Sequence, residues 1–181
     1  MTAAVVLAAG EGRRFGGPKQ LAQVEGRPLI EHALAAVRAL DRVVVVLGAR
    51  AGEVRAGADL DGADVIVCEG WAEGMGASLR AGLAELGDAA EVVVVLADQP
   101  FITAAVVDHV RAVPGAAVRA AYDGAPGHPV VLRRPVLDRA AELRGDSGFR
   151  DLLDEVVEVE CGALANPADI DTRDDLEVVR R

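Results

Sequence analysis

Two runs of four consecutive valines, Val43–Val46 and Val92–Val95, constrain this chain most. A strand with one wet face alternates apolar and polar residues. A run that is apolar on both faces belongs to a strand covered on both sides, as parallel strands are when crossover helices flank a sheet. The predicted strands are Ala3 to Leu7, Arg42 to Leu47, Asp64 to Val67 and Glu91 to Leu96. Helical patterns separate them. Pro28 to Leu40 sets Leu29, Ile30, Ala33, Leu34, Val37 and Leu40 on one face, with Pro28 suited to the first turn. Ala51 to Ala56 and Gly76 to Leu86 read as helices, as does a segment capped by Thr103 and running through Val110. Ala117 to Ala121 and Pro129 to Leu132 flank a loop, Asp123 to Gly127, and read as two strands. Asp146 or Ser147 is placed to cap a helix through Leu153. Val156 to Val159 reads as a last strand. Thr172-Arg173-Asp174-Asp175 fits a capping box before a short terminal helix.

This alternation predicts a three-layer α/β/α architecture with a mostly parallel sheet, in a single domain spanning residues 1–181. Ligands in such sheets sit outside the carboxyl ends of the strands. With aromatic residues at only 3%, Val, Leu and Ala must build the core, and the 51% hydrophobic fraction argues against disorder. No apolar run approaches the roughly 18 residues that span a bilayer. Met1 to Ala4 runs directly into a strand without a basic leader, so a cytoplasmic protein with no membrane association is expected. A formal charge of −10 opposes general nucleic-acid binding, which depends on phosphate contacts. Cys68 and Cys161 show neither C-x-x-C spacing nor a nearby histidine and are expected to be free thiols.

The first strand runs into Leu7-Ala8-Ala9-Gly10-Glu11-Gly12-Arg13-Arg14-Phe15-Gly16-Gly17-Pro18-Lys19-Gln20-Leu21. Glycines let backbone amides approach phosphates, and Arg13, Arg14 and Lys19 bring positive charge to an acidic chain. The segment is therefore a candidate triphosphate cradle. It is not a P-loop, because Lys19 is followed by Gln20. Gly10, Gly12 and Gly16 also fit a variant dinucleotide loop. The second strand ends in Leu47-Gly48-Ala49-Arg50 with no acid for a ribose, yet Arg50 suits the extra phosphate of NADP. An ordinary tight turn with surface arginines accommodates the same residues.

Leu7 to Leu21 closely resembles the signature of nucleotidyltransferases with a GT-A-like, Rossmann-related fold. Among them the chain is most similar to the MobA-like and MocA-like molybdenum-cofactor cytidylyltransferases. The resemblance continues in order at Gly74-Met75-Gly76-Ala77-Ser78-Leu79, Leu96-Ala97-Asp98-Gln99-Pro100, Gly127-His128-Pro129, Gly145-Asp146-Ser147-Gly148 and Asp169-Ile170-Asp171-Thr172. It covers nearly the whole chain.

The resemblance implies a magnesium-dependent transfer of a nucleoside monophosphate from an NTP to a phosphorylated acceptor. Lys19, Asp98 and Arg14 are the implied catalytic residues. Leu7, Ala8, Ala9, Gly10, Gly12, Arg13, Lys19, Gly74, Gly76, Ser78 and Asp98 would bind nucleotide. Asp98 would hold the metal with Asp171 or Asp169, although both of the latter also fit as caps of the final helix. His128, Asp146 and Ser147 would face the acceptor, with Arg150 a weaker addition. The form Leu7-Ala8-Ala9-Gly10 resembles the cytidylyl branch, so CTP and a molybdopterin acceptor are expected, with a molybdoenzyme a possible recipient of the product. Trp71 fits either a pocket wall or the core. His32 and His109 lie in helical patterns and carry no functional signal. Two other classes stay open: an NADP-dependent reductase, and a non-catalytic nucleotide-binding maturation protein.

Overall fold

The computed structural model describes residues 1–142 and 155–179. Strand β1 (Thr2–Ala8) leads through the glycine-rich loop to a ribbon of β2 (Gln23–Val24) and β3 (Arg27–Pro28), then helix α1 (Leu29–Val37). There follow β4 (Arg42–Leu47), α2 (Ala51–Gly57), β5 (Asp64–Val67), α3 (Met75–Leu86), β6 (Glu91–Leu96) and α4 (Ala104–Arg111). The remainder is β7 (Ala117–Tyr122), β8 (Ala125–Arg133), β9 (Val157–Glu160) and α5 (Arg173–Val179).

Among the described residues, seven strands form one sheet in the order β5-β4-β1-β6-β8-β7-β9. Within it β8 runs antiparallel to β6 and β7, and the other pairings are parallel. The valine runs occupy the central strands, as a two-sided apolar pattern requires. Ala4, Val6, Val43, Val45, Val93 and Val95 face α1, α4 and Val54 of α2. Ala3, Val5, Val44, Val46, Val92 and Val94 face α3. Burying each valine contributes roughly 1.5–3 kcal/mol, so this interleaved stack is the main source of stability. The chain order places a switch point between β1 and β6, whose neighbours depart to opposite sides, and a crevice opens beyond their carboxyl ends.

Several boundaries differ from the sequence expectation. The first helix begins at Leu29, and Pro28 closes the ribbon instead of opening the helix. The ribbon turns at Glu25 and Gly26, both at positive φ (50° and 76°), and strands of two residues are too short to show a period. The loop expected over Asp123 to Gly127 contracts to Asp123-Gly124, with φ of 51° and 77°, and β8 starts at Ala125. Pro126 enters the strand beside a register shift between Arg119 and Ala121, where the ladder is already interrupted. The last strand lies one residue later than expected, at Val157–Glu160. Ser78 lies inside α3, whose N-cap is Gly74. Thr103 does cap α4 with extended backbone, but without a side-chain bond. The helix expected from Asp146 to Leu153 lies outside the described residues.

The capping box is present. Thr172 N donates to Asp175 Oδ2 at 2.7 Å, and Asp175 N donates to Thr172 Oγ1 at 3.2 Å. Both cysteines are free and buried. Among the described residues no helix is long and apolar enough to cross a membrane.

Candidate active site

The crevice beyond β1 and β6 is a cavity of about 530 Å³. The glycine-rich loop supplies Gly10 to Arg14, and the amino end of α3 supplies Gly74, Met75 and Ser78. Trp71 and Ala72 form a wall. Leu96, Ala97 and Asp98 close it below, and Lys19, Gln20 and Asp171 complete it.

The loop is shaped by its own backbone. Gly12 sits at φ +71°, and a Cβ there would lie 2.0 Å from the Gly17 carbonyl oxygen. That carbonyl stays close because the Gly16 and Gly17 amides donate back to Gly12 O at 2.9 and 3.3 Å. Gly12 is thus required by the loop's fold before any phosphate arrives. A Cβ on Gly10 would meet nothing within 4 Å. The buried Gln20 side chain pins the loop mouth, its Nε2 donating to Ala8 O at 2.7 Å and Gly10 O at 2.8 Å.

Beneath the loop four charged side chains converge from distant parts of the chain. Lys19 Nζ donates to Asp98 Oδ2 at 2.5 Å and to Asp171 Oδ1 at 2.6 Å. Arg14 donates to the other Asp171 oxygen at 2.8 Å. Asp98 follows the tip of β6. Asp171 is held there because Ile170 N donates to Asp98 O at 3.0 Å while the Ile170 side chain is fully buried with Phe15, Val24, Leu29 and Leu176. That small cluster fastens the loop, the ribbon and the C-terminal segment together. Arg173 adds to it, lying 5.5 Å from the centroid of the Phe15 ring.

The electrostatics follow from this geometry. Burial would lower the Lys19 ammonium, but Asp98 and Asp171 outweigh it and raise its pKa. The Lys19 hydrogen bond, against some burial, holds Asp171 below the usual carboxylate range. Asp98 Oδ1 is buried and accepts no hydrogen bond among the described residues. A buried carboxylate oxygen without a donor is costly unless something polar reaches it. Asp169 is turned away, accepting from Gln99 Nε2 at 2.7 Å, and burial raises its pKa. Of the two candidate second carboxylates, Asp171 lines the cavity with Asp98 and Asp169 does not.

Leu7, Ala8, Ala9, Gly10, Gly12, Arg13, Arg14, Lys19, Gly74, Ser78, Asp98 and Asp171 all line the cavity. Gly76 lies buried in α3 behind the lining. His128 lies outside the lining, on β8, where burial pushes its imidazole down to about 4 against the opposing pull of Asp98. Asp146, Ser147 and Arg150 fall outside the described residues. Arg50 is paired with Glu53 at 2.9 Å and is not part of the cavity wall. Gln20 is a site residue beyond those expected from the sequence, where its one signal is a polar residue between the loop lysine and Leu21. Glu11 and Met75, from the two quoted motifs, also line the cavity.

An oxygen-donor pair at the switch point suits a hard divalent cation, which needs only one or two protein carboxylates and keeps waters and substrate oxygens. The unpartnered Asp98 oxygen and the facing Asp171 fit such an ion. In keeping with so sparse a donor set, no cluster of three or more His, Cys, Asp or Glu side chains arranged for a metal occurs among the described residues.

Fold and crevice together define an α/β protein of the nucleotidyltransferase class. The chain belongs to the MobA-like NTP transferase domain family, whose model matches residues 4–159, and is an enzyme of the nucleotidyltransferase family. It is 36% identical over 187 residues to the nicotine blue oxidoreductase of Paenarthrobacter nicotinovorans, covering 93% of this chain and 91% of that protein. The crystal structure of Rv0371c from Mycobacterium tuberculosis H37Rv superposes with a TM-score of 0.85 at 34% identity, covering 98% of this chain and 96% of that one. The manganese complex of Rv0371c superposes with a TM-score of 0.79 at 31% identity, covering 99% and 97%. A divalent metal is therefore bound in a similar protein.

Proposed function

We propose that this protein transfers a nucleoside monophosphate, CMP from CTP, to the phosphate of a molybdopterin-type acceptor and releases pyrophosphate. The observation that carries the reading is the convergence of Lys19, Asp98 and Asp171 under the glycine-rich loop. In this reading the Gly10 and Gly12 backbone, Arg13, Arg14 and Lys19 hold the polyphosphate. Leu7, Ala8, Ala9, Gly74 and Ser78 line the nucleoside side, with Gly76 supporting them from within α3. Asp98 and Asp171 would hold magnesium, which when bound neutralises charge on the phosphate oxygens. His128, together with Asp146 and Ser147, belongs to the acceptor side.

An acceptor phosphate oxygen bonds to the α-phosphorus, the bond from that phosphorus to the bridging β oxygen breaks, and pyrophosphate departs with the electron pair. The chain's part is positioning and charge complementarity, so no protein nucleophile is needed. The test is pyrophosphate release with each NTP, magnesium and molybdopterin. CTP should be used in preference to GTP and ATP. A clear GTP preference would move the chain to the guanylyl branch, and no release with any NTP would overturn the reading. The product would pass to a molybdoenzyme, and the protein would act in the cytoplasm.

A second reading is supported by the likeness to nicotine blue oxidoreductase. It puts NADPH in the same cavity, with the glycine-rich loop over its pyrophosphate. Arg50, the residue offered for the extra phosphate, is paired with Glu53 outside the cavity wall, which favours the transfer reading. A blue-shifted NADPH fluorescence on binding, with no pyrophosphate release, would support the reductase.

A further inference from the structure

Of the 19 Lys and Arg residues in this chain, Lys19 is the single lysine. Every other basic position, including Arg13 and Arg14 beside it in the same loop, carries a guanidinium. The exception stands where a compact cation is needed. Its ammonium lies 2.5 Å from an Asp98 oxygen and 2.6 Å from an Asp171 oxygen, between two carboxylates from different segments of the chain. A guanidinium is a broad planar fork, whereas an ammonium is a point charge with three donors. The two carboxylates are also those read above as holding a divalent cation, and this inference rests on that reading.

We propose that Lys19 is a built-in stand-in for the divalent cation: it neutralises Asp98 and Asp171 while the site is empty of metal, and it must leave them before a cation can be held there. The charge balance supports an exchange. Lys19 and Arg14 offset Asp98 and Asp171 charge for charge, with Asp169 and Asp175 nearby. A dication added to that cluster has to compete with an ammonium already in place. The competition ends when a polyphosphate enters, because its anionic oxygens give the released ammonium a new partner. Metal and nucleotide are then coupled: each makes room for the other, and by linkage the coupling is reciprocal. The arrangement also explains how two carboxylates can sit together in a partly buried site without an ion.

The proposal predicts a sign opposite to that of an ordinary binding-site lysine. Without nucleotide, Lys19→Gln should bind Mn2+ more tightly than wild type, by roughly tenfold, within the usual range of site–site coupling. Calorimetric titration measures this with no catalysis involved. Lys19→Arg, which keeps the charge but not the compact shape, should bind Mn2+ with an affinity between those of wild type and Lys19→Gln. Adding Asp98→Asn to Lys19→Gln should remove the gain. In thermal melting Lys19→Gln should be destabilised without ions and recover with Mn2+ more than wild type does.

The single lysine supplies a readout on the unaltered protein. In protein labelled with 13C and 15N only at lysine, the Lys19 ammonium should give one hydrogen-bonded signal, which should shift and lose protection from exchange as Mg2+ is added. This arm decides the matter if Lys19→Gln does not fold. Equal or weaker Mn2+ binding by Lys19→Gln, or an unmoved Lys19 signal while Asp98-dependent binding proceeds, would overturn the exchange but leave the metal reading standing. Failure of Mn2+ and Mg2+ to bind any of these proteins would remove both.

Discussion

Strand β6 carries a carboxylate near each end, and their surroundings are opposite. Glu91 opens the strand, and both of its oxygens are bonded: Arg111 Nε donates to one and Arg133 Nε to the other, each at 2.7 Å. Arg133 goes on to donate to the carbonyls of Arg111, Val113 and Gly115. Every strong group there has a partner within the fold. Asp98 follows the other end of the strand and shares one lysine with Asp171, with its Oδ1 buried and unpartnered. The first cluster has two cations for one carboxylate and ties β6, β8 and α4 together. The second leaves acceptor capacity unused and opens onto a cavity. Closed polar networks rigidify a fold, whereas a buried carboxylate oxygen that accepts nothing is costly until a polar group reaches it.

The largest effect expected from this contrast is at Asp98. Asp98→Asn keeps the shape and removes the charge, and loss of an electrostatic contribution of this kind typically costs about 100- to 1,000-fold in rate. Because Lys19 already neutralises Asp98, the variant should melt somewhat below wild type, without the gain that relief of carboxylate repulsion would bring. Pyrophosphate release against magnesium concentration, with melting in parallel, measures both. Wild-type rate and magnesium dependence would erase the distinction between the two ends of β6.

Lys19→Ala should come next, weakening NTP binding by ~1.5–3 kcal/mol, the scale of a charge-assisted hydrogen bond. Unchanged steady-state kinetics would remove Lys19 from the phosphate side.

At the closed end the loss should fall on stability. Glu91→Gln should cost about 1.5–3 kcal/mol by weakening hydrogen bonds to two guanidiniums, with activity per folded molecule unchanged. Burial alone would raise the Glu91 pKa, but Arg111 and Arg133 outweigh it and lower it. The unfolded chain then binds the proton more readily than the folded one. Glu91 therefore contributes stability that is present above the ordinary glutamate value and is lost as pH falls through its depressed folded value. Melting followed into acid should show a shallower fall for Glu91→Gln than for wild type. Parallel curves would mean that the guanidiniums do not hold that carboxylate.

The smallest change in stability is expected at Gly10. A methyl there meets nothing, so Gly10→Ala should fold normally and show its effect in NTP affinity alone. Gly12→Val is the less clean probe, since its Cβ collides with the loop's own Gly17 carbonyl and the loop itself would be displaced. Normal NTP binding by a well-folded Gly10→Ala would indicate that phosphates do not approach that backbone.

What could be read from the chain's order alone was local or periodic. The valine runs required two-sided cover and so a layered, mostly parallel sheet. The helical faces, the Thr172–Asp175 box and the glycine-rich loop each lie within a few consecutive residues and declare themselves there. Asp98 belongs with them, because a carboxylate just past a buried strand must emerge at the sheet's edge. The rest depended on contacts between residues far apart in the chain. Sequence could not choose between Asp169 and Asp171, two residues apart with the same side chain; the Ile170 amide bonded to Asp98 O and the Ile170 side chain packed with Phe15 turn one toward the cavity and the other toward Gln99. The antiparallel direction of β8, the two-residue ribbon and the Gln20 clamp were hidden for related reasons: a short or proline-bearing strand has no period to read, and a buried amide's partners are backbone groups that no residue name reveals. The pairing of Lys19 with carboxylates 79 and 152 residues away exists only once the sheet has brought the ends of β1 and β6 and the C-terminal segment to one edge.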